Sequence, residues 1–223
     1  MNKTVLVVAA HPDDEVLGCG GTIARHAAEG DIVYVVFLAD GEGARKNAVP
    51  EAAVEREGSA ATALQILGAR PPIFLGLEDN RLDAYPLLEI VQLVEKVVAD
   101  LKPDIVYTHH GGDLNIDHEL THRAVMTACR PLPGSAASEI YTFEVVSSTE
   151  WGSPGVHHFA PQMYVDISSY MAQKTLAMEA YLEEMRATPH ARSFENVAAL
   201  ASYRGASVGV ALAEAFMVMR IRR

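Results

Sequence analysis

Residues 4–15, TVLVVAAHPDDE, join a short apolar run to a cluster of residues that can bind metals or carry protons. The β-branched run predicts a buried strand, and the acidic residues after it are typical of the first turn of a helix. Pro12 disfavours helical backbone at the residue before it, so we expect His11 to stand at the strand end on extended backbone. This strand–turn–helix unit predicts an α/β fold built on a parallel sheet.

Strands and helices are predicted to alternate along the rest of the chain. The predicted strands are Thr4–Ala9, Ile32–Leu38, Pro72–Leu75, Asp104–Thr108, Ile140–Glu144 and Met163–Asp166. The predicted helices are Asp14–Glu29, Glu51–Leu67, Pro86–Leu101, one from Asp117 or His118 to Arg130, Ser169–Met185 and Phe194–Phe216, and for the last one a break at Gly205 or Gly209 is left open. We therefore predict one Rossmann-like α/β domain over residues 1–223, with a mostly parallel sheet and helices on both faces.

Composition limits the classes of partner. With 49% hydrophobic and 21% charged residues, the chain of 223 residues is expected to fold throughout. Its net charge of −11 argues against nucleic acid as a ligand. The apolar run at the N-terminus is too short to insert into a membrane or to form a signal peptide, so a cytoplasmic location is expected. The two cysteines are expected to be free, and a homo-oligomer is compatible with the sequence.

A second polar segment, THHGGDLNIDHELTH at 108–122, follows the fourth predicted strand and holds four histidines. In the common strand order 3-2-1-4-5-6, strands one and four are neighbours, so this segment and residues 11–15 meet at one sheet edge. A single histidine would more often be a surface or packing residue. Two converging clusters of imidazoles and carboxylates instead favour a catalytic zinc site with an open position, because a closed structural site commonly uses cysteine.

These residues resemble the LmbE-like or PIG-L deacetylases. AHPDDE at 10–15 matches the opening signature of that family, and NIDH at 115–118 stands where the family usually has HPDH. The resemblance extends over most of the chain, including GCGG at 18–21 and RGASVGVALAEAF at 204–216. It implies a metal-dependent hydrolase that removes the N-acetyl group from an N-acetylglucosamine-type amino sugar or its conjugate, releasing acetate and a free amine.

The same resemblance implies roles for individual residues. The expected metal ligands are His11, Asp14 and His118, and Asp13 is the expected general base. Zn²⁺ is the expected ion, although such a ligand set also suits Fe²⁺, Co²⁺ or Mn²⁺. Asp117 is expected to orient a histidine through its second ring nitrogen, which is a common duty of an acid beside a ligand.

One residue departs from the family pattern. Asn115 replaces the usual histidine, and its amide can donate a hydrogen bond to an oxyanion but cannot act as an acid. We expect the missing histidine to be His190, in the short loop RATPHARS at 186–193. His110 is the second candidate.

Other classes of protein are compatible with parts of the pattern. Gly18, Gly20, Gly21 and the acid Asp40 suggest a dinucleotide-binding module. The glycines fall inside the predicted helix rather than at its start, so we expect them to permit close helix packing instead. A noncatalytic sugar- or metal-binding protein, and a hydrolase of another small amide, remain alternatives to hydrolysis of an amino sugar.

Overall fold

The computed structural model describes residues 2–43, 50–134, 137–153 and 157–223. Its strands are β1 (Thr4–Ala9), β2 (Ile32–Ala39), β3 (Ile73–Leu77), β4 (Ile105–His109), β5 (Glu139–Phe143), β6 (Met163–Asp166) and β7 (Ala213–Ile221). Its α-helices are α1 (Asp14–Ala28), α2 (Pro50–Leu67), α3 (Leu87–Leu101), α4 (Ile116–Ala128), α5 (Met171–Glu179) and α6 (Phe194–Ala206). Among these residues, no helix is both long and apolar enough to span a membrane.

The described strands form a single sheet in the order β3-β2-β1-β4-β5-β7-β6. Strands β1 to β5 pair in parallel, whereas β7 runs antiparallel to both of its neighbours. The α/β class and the mostly parallel sheet are thus confirmed. The six predicted strands are present, and two of them, β1 and β6, have the predicted bounds.

The end of the chain differs from the prediction. The helix predicted over Phe194–Phe216 ends at Ala206, and Ala213–Ile221 forms the strand β7 between β5 and β6. Alanine, glutamate and methionine in this segment favour a helix locally. The segment forms a strand instead of a helix because it pairs with the edges of both β5 and β6 and buries Phe216. The helix predicted over Ser169–Met185 is also shorter, since α5 ends at Glu179.

Helices cover both faces of the sheet. Alternate residues of β1 point to opposite sides, so that Val5 and Val7 join one hydrophobic core while Leu6 and Val8 join the other. Helices α1, α2, α5 and α6 contribute to the first core, and α3 and α4 contribute to the second. We propose that residues 1–223 unfold as one domain, because every described strand belongs to the same sheet.

The glycines of α1 allow close packing, as predicted. A Cβ atom on Gly18 would lie 2.3 Å from the Phe143 ring, and one on Gly21 would lie 2.7 Å from the Ile167 side chain. The helix is also interrupted at Cys19, whose φ of −148° and ψ of 24° are not helical. The glycine cluster therefore serves helix packing in this chain.

A buried ion pair restores the hydrogen bonds that this interruption leaves unmade. Glu214 of β7 accepts hydrogen bonds from the backbone N–H groups of Gly21 and Thr22 at 2.9 and 2.7 Å. Lys174 of α5 donates to the Leu17 carbonyl at 2.9 Å and to Glu214 at 2.7 Å. The buried charges of Lys174 and Glu214 neutralise each other, so this ion pair joins α1, α5 and β7 without leaving an unpaired ion.

We expect Gly18→Ala to destabilise the fold by about 1–3 kcal/mol, because the added methyl group overlaps the Phe143 ring. The matched control is Gly58→Ala in α2, where no described atom beyond the chain neighbours and the backbone of the helix itself lies within 4 Å of the new Cβ. That change should stabilise the protein by about 0.5–1 kcal/mol, because alanine is the better helix former. Denaturant unfolding measures both changes, with one cooperative transition expected in each protein. Equal effects of the two substitutions would contradict the packing role of Gly18.

Candidate metal centre and active site

The candidate site lies where β1 and β4 end side by side. Parallel pairing aligns Val5 with Ile105 and Val8 with Thr108. The residues after the two strands therefore share one crevice at the carboxyl edge of the sheet, where open α/β sheets bind their ligands. The turn after β1 begins α1, and the segment after β4 leads into α4.

Three side chains in this crevice converge as ligands of a metal ion would. His11, Asp14 and His118 are buried, and each offers one ligand atom within 4.8 Å of the others. The Asp14 Oδ2 atom lies 3.4 Å from His11 Nδ1 and 3.2 Å from His118 Nε2. The other oxygen, Asp14 Oδ1, is buried with no hydrogen-bond partner among the described residues. Two imidazoles and a carboxylate with an unpaired oxygen fit a catalytic zinc ion.

Acidic residues orient the two histidines from behind. His118 Nδ1 lies 3.2 Å from Asp113 Oδ1, and His11 Nε2 lies 3.0 Å from Asp117 Oδ2. Each contact directs the other ring nitrogen toward Asp14, and thus sets which lone pair faces the site. The histidine that Asp117 contacts is His11, and the role of Asp117 in orienting a metal ligand stays a prediction.

Backbone groups hold the acids in place. Asp117 accepts hydrogen bonds from the N–H groups of Asn80 at 2.7 Å and Leu82 at 3.0 Å. Asp113 accepts hydrogen bonds from the hydroxyl groups of Ser148 and Thr149, the latter at 2.6 Å. The orientation of both histidines therefore rests on loops that follow β3 and β5.

The electrostatic environment favours a cation between the ligands. Burial opposes a charge on His118, but nearby Asp14 and Asp113 outweigh it and raise its pKa to about 9. Burial likewise opposes a charge on His11, and hydrogen bonds to Asp117, Asp14 and Asp79 raise its pKa well above the usual value. A proton and a divalent ion compete for the same lone pairs, so the field that retains the proton also attracts the metal.

Asp13 sits beside this cluster in a constrained conformation. Its φ of 114° is unusual for a residue with a side chain and costs about 1–3 kcal/mol. The carboxylate faces Arg192 Nη1 at 2.7 Å and Arg56 Nη2 at 3.2 Å. Burial raises the pKa of Asp13, while the two arginines oppose that rise. The two arginines thus orient the Asp13 carboxylate, while its burial preserves its affinity for a proton.

Glu15 supports Asp13 through the backbone. Its Oε2 accepts the Asp13 N–H at 3.0 Å, and its Oε1 accepts the Tyr181 hydroxyl at 2.7 Å. Burial raises the pKa of Glu15 to about 8. The Glu15 side chain is buried and hydrogen-bonded to both Asp13 and Tyr181, so it stabilises the turn that carries Asp13.

Asn115, His110 and His190, the three candidates for the additional donor, have different hydrogen-bond partners in the structure. Asn115 is the N-cap of α4, because its Oδ1 accepts the Asp117 N–H at 2.8 Å while its Nδ2 donates to Asn80 at 3.2 Å. His110 Nε2 lies 2.8 Å from the carbonyl of His157. His190 Nδ1 accepts the Arg192 N–H at 3.0 Å.

Four residues at the site were not assigned a role from the sequence. They are Asp113, Arg56, Arg192 and the buried His109, whose Nε2 accepts the Ala10 N–H at 2.8 Å. Asp113 stands in the same polar segment as His118, and the many acidic residues of that segment could have pointed to it. No local pattern marks Arg56 or Arg192, because each lies on an element remote in sequence from Asp13.

Comparisons with known proteins find relatives of this chain. The family model described as PIG-L, GlcNAc-PI de-N-acetylase, matches residues 6–129. The uncharacterized deacetylase YaiS of Escherichia coli is 30% identical, with 80% of this chain and 90% of that protein covered. A probable N-acetyl-alpha-D-glucosaminyl L-malate deacetylase of Bacillus anthracis is 26% identical, with 87% and 88% covered.

Two further matches widen the comparison. The 4-oxalmesaconate hydratase of Pseudomonas putida is 31% identical, with 79% of this chain and 72% of that protein covered. The solved structure of the conserved protein TT1542 from Thermus thermophilus is 32% identical, covers 99% of this chain and 96% of its own, and superposes with a TM-score of 0.79. The relatives thus include both deacetylases and a hydratase.

We expect Asp113→Asn to weaken metal binding about 10–100-fold, the usual effect of removing an acid that orients a ligand. An amide in place of the carboxylate weakens the contact with His118 Nδ1 and no longer favours one orientation of the ring. Competition with a chelator measures the affinity. Asp83→Asn is the control, because Asp83 is exposed in the short 3-10 helix Leu82–Ala84 before α3. Unchanged affinity in Asp113→Asn would show that His118 does not depend on this contact.

Proposed function

Because the chain belongs to the PIG-L family, we propose that it is a zinc-dependent hydrolase that removes the N-acetyl group of an N-acetylglucosamine-type amino sugar or its conjugate. The products are acetate and the free amine. The observation that carries the proposal is the convergence of His11, Asp14 and His118 beside the carboxylate of Asp13. A ligand set and an adjacent base are the two parts that metal-assisted amide hydrolysis requires.

His11, Asp14 and His118 would hold the ion through the two imidazole nitrogens and the carboxylate that face one another. When bound, a divalent ion of this kind lowers the pKa of water and polarises a carbonyl group. Zinc suits the set of two histidines and one carboxylate, and Fe²⁺, Co²⁺ or Mn²⁺ would also be accepted by it.

Asp13 is the proposed general base. Its carboxylate would accept the proton that water loses as it attacks the acetyl carbon. Arg192 and Arg56 hold this carboxylate in one position, so its orientation does not depend on the substrate. The departing amine then needs a proton, which Asp13 can return after accepting it.

His190 is the proposed second donor, in place of the histidine that Asn115 replaces. Its Nδ1 accepts a hydrogen bond from Arg192, so in the neutral ring the proton is on Nε2 and can be donated. The Nε2 of His110, by contrast, lies within hydrogen-bond distance of the His157 carbonyl. The side chain of Asn115 already caps α4, which supports its role as a structural residue with one amide N–H toward Asn80.

Hydration of a double bond is the second candidate, favoured by the hydratase relative. That relative is named for an anionic substrate, and a site that binds such a substrate needs cationic side chains that are not already paired with acids. Here Arg56 faces Asp13 and Glu184, and Arg192 faces Asp13, so both charges are already balanced. This pairing favours a neutral N-acetylated substrate.

We also propose a cytoplasmic location. The two cysteines of the chain, Cys19 and Cys129, are both buried and free, as is usual in a reducing compartment. Fractionation of the source cells tests this, and recovery outside the cytoplasm would contradict it.

Acetate release tests the function directly. The metal-loaded protein is incubated with N-acetylglucosamine, its disaccharides, nucleotide sugars and thiol-linked glucosides. We expect release from at least one of them and its loss with a chelator. Protein with a full complement of metal and no turnover on the whole panel would instead support a noncatalytic binding protein or another reaction.

Substitutions separate metal binding from catalysis. We expect Asp14→Ala and His118→Ala to lose bound metal, because each removes a ligand. Asp13→Asn should keep the metal and lose ~10²–10⁴ in kcat, because coordination needs no base. Metal analysis beside rate measurement distinguishes the two classes. A near-normal rate in Asp13→Asn would mean that another group is the base.

We expect His190→Ala to lower kcat by ~10²–10⁴ at unchanged metal content, the usual effect of removing an acid–base or oxyanion group. His110→Ala is the comparator, since its ring is already engaged with a carbonyl. Normal turnover in His190→Ala together with a failing His110→Ala would transfer the role to His110.

A further inference from the structure

His109, the last residue of β4, is a buried histidine to which the proposed mechanism gives no role. Its exposed fraction is 0%, although histidine is usually only partly buried. Parallel pairing places it opposite Phe143 of β5, and the two rings pack with their centroids 4.8 Å apart. Two strands of the sheet therefore fix where the His109 ring stands.

The His109 ring contacts both of the chain segments that supply the candidate ligands. Its Nε2 accepts the backbone N–H of Ala10, the residue before His11, at 2.8 Å. Its face stacks on the imidazole of His118, with centroids 3.9 Å apart and planes 24° from parallel. The same Nε2 atom lies 3.5 Å from Asp14 Oδ2. His109 thus touches the turn after β1 and the first turns of α4 at once.

The contact with Ala10 also fixes the form of the His109 ring. A backbone N–H can only donate, so Nε2 presents a lone pair, and the ring is neutral with its proton on Nδ1. A neutral ring can lie against His118 beside a divalent ion, whereas an imidazolium would repel that ion. Because the Ala10 N–H already occupies the Nε2 lone pair, His109 is not itself a ligand.

The stability of the fold does not require an imidazole at this position. The Nδ1 atom of His109 is buried without a hydrogen-bond partner among the described residues, which costs about 1–3 kcal/mol. A phenyl ring would avoid that cost but would leave the Ala10 N–H unpaired, so the number of unpaired buried donors would stay the same. What the imidazole adds is a fixed position for Ala10 and, through it, for His11.

The carbonyl group of His109 contacts α4 at a second point. His122 Nδ1 lies 2.9 Å from this oxygen, and His122 follows His118 by about one turn on the same face of the helix. The backbone and the ring of His109 thus contact two successive turns of α4. The helix cannot slide or rotate against β4 without breaking one of these contacts.

We propose that His109 is a positioning residue of the metal centre, whose ring sets the separation and orientation of His11 and His118. The inference rests on the proposed metal site and adds to it a residue that binds neither the ion nor the substrate. Ligands held in place before the ion arrives bind it more tightly, because less orientational freedom is lost on binding.

Metal affinity tests this inference without any need for turnover. Co²⁺ is the probe, because competition with a chelator gives its affinity and its visible absorption bands report the geometry of its ligands. We expect His109→Ala to weaken Co²⁺ binding about 10–100-fold, the usual effect of removing a group that orients a ligand. The bands should also change, because His118 loses the ring against which it lies. Unchanged affinity and unchanged bands would overturn the inference.

A second variant separates positioning from a general loss of stability. His109→Gln keeps an acceptor for the Ala10 N–H but removes the aromatic face. We expect it to unfold at a higher denaturant concentration than His109→Ala, yet to show altered Co²⁺ bands, because stability follows the hydrogen bond and ligand geometry follows the stacked ring. Wild-type bands in His109→Gln would contradict the role of the stacking. This variant also carries the test if His109→Ala fails to fold.

Thr108→Ala is the matched control. Thr108 precedes His109 on β4, so its side chain points to the other face of the sheet, where its hydroxyl donates to the Val8 carbonyl at 3.0 Å. We expect lower stability with unchanged Co²⁺ affinity and bands. An equal loss of affinity in Thr108→Ala would show that any damage to β4 weakens the site, and would overturn a specific role of His109.

The wild-type protein distinguishes this inference from the proposed function. Co²⁺ binding that is equal in the wild type and in His109→Ala would overturn the inference and leave the metal site in place. Co²⁺ binding that depends on His109, without acetate release from any compound of the substrate panel, would support the inference and overturn the deacetylase. Absence of Co²⁺ binding by the wild type would overturn both.

Discussion

The parallel pairing of β1 with β4 is the constraint on which the site depends. It aligns the two strands so that both end at one edge, and the residues after them supply His11, Asp14 and His118. His11 and Asp14 come from the turn after β1, whereas His118 lies in the first turn of α4, whose start is capped by Asn115. Because side chains alternate along a strand, a slip of one residue would turn the interior residues of β1 to the wrong face. Core packing therefore fixes the register that the metal centre uses.

Burial of so many ionisable groups carries a free-energy cost that the site offsets by pairing. Isolated charges of this kind are expensive in a protein interior, and a buried pair is tolerated only where hydrogen bonds complete it. Asp113 and Asp117 are each satisfied by hydroxyl or backbone donors and each hold a histidine. Asp14 keeps one oxygen without a partner among the described residues. A buried carboxylate oxygen that has no hydrogen-bond partner is available to bind a metal ion.

The last third of the chain supports the turn that carries Asp13. The family model ends at residue 129, and it includes the candidate ligands and Asp13. Arg192 and Tyr181, which hold Asp13 and Glu15, lie beyond that boundary. The candidate ligands thus lie within the part of the chain that the family model matches, whereas Arg192 and Tyr181 reach the turn after β1 from outside it.

The sequence by itself determined the alternating elements and the meeting of the two polar segments, because both depend on local periodicity and on the strand order. The candidate ligands were predicted from the resemblance of AHPDDE and NIDH to the motifs of one family. The strand β7 could not be predicted in this way. Its helix-forming residues are extended only because β5 and β6 offer it two edges at once. The partners of Asp13 could not be predicted from the sequence either. Arg56 and Arg192 lie on a helix and a loop far from it in sequence, and only the packing of these elements against α1 brings their charges to one carboxylate.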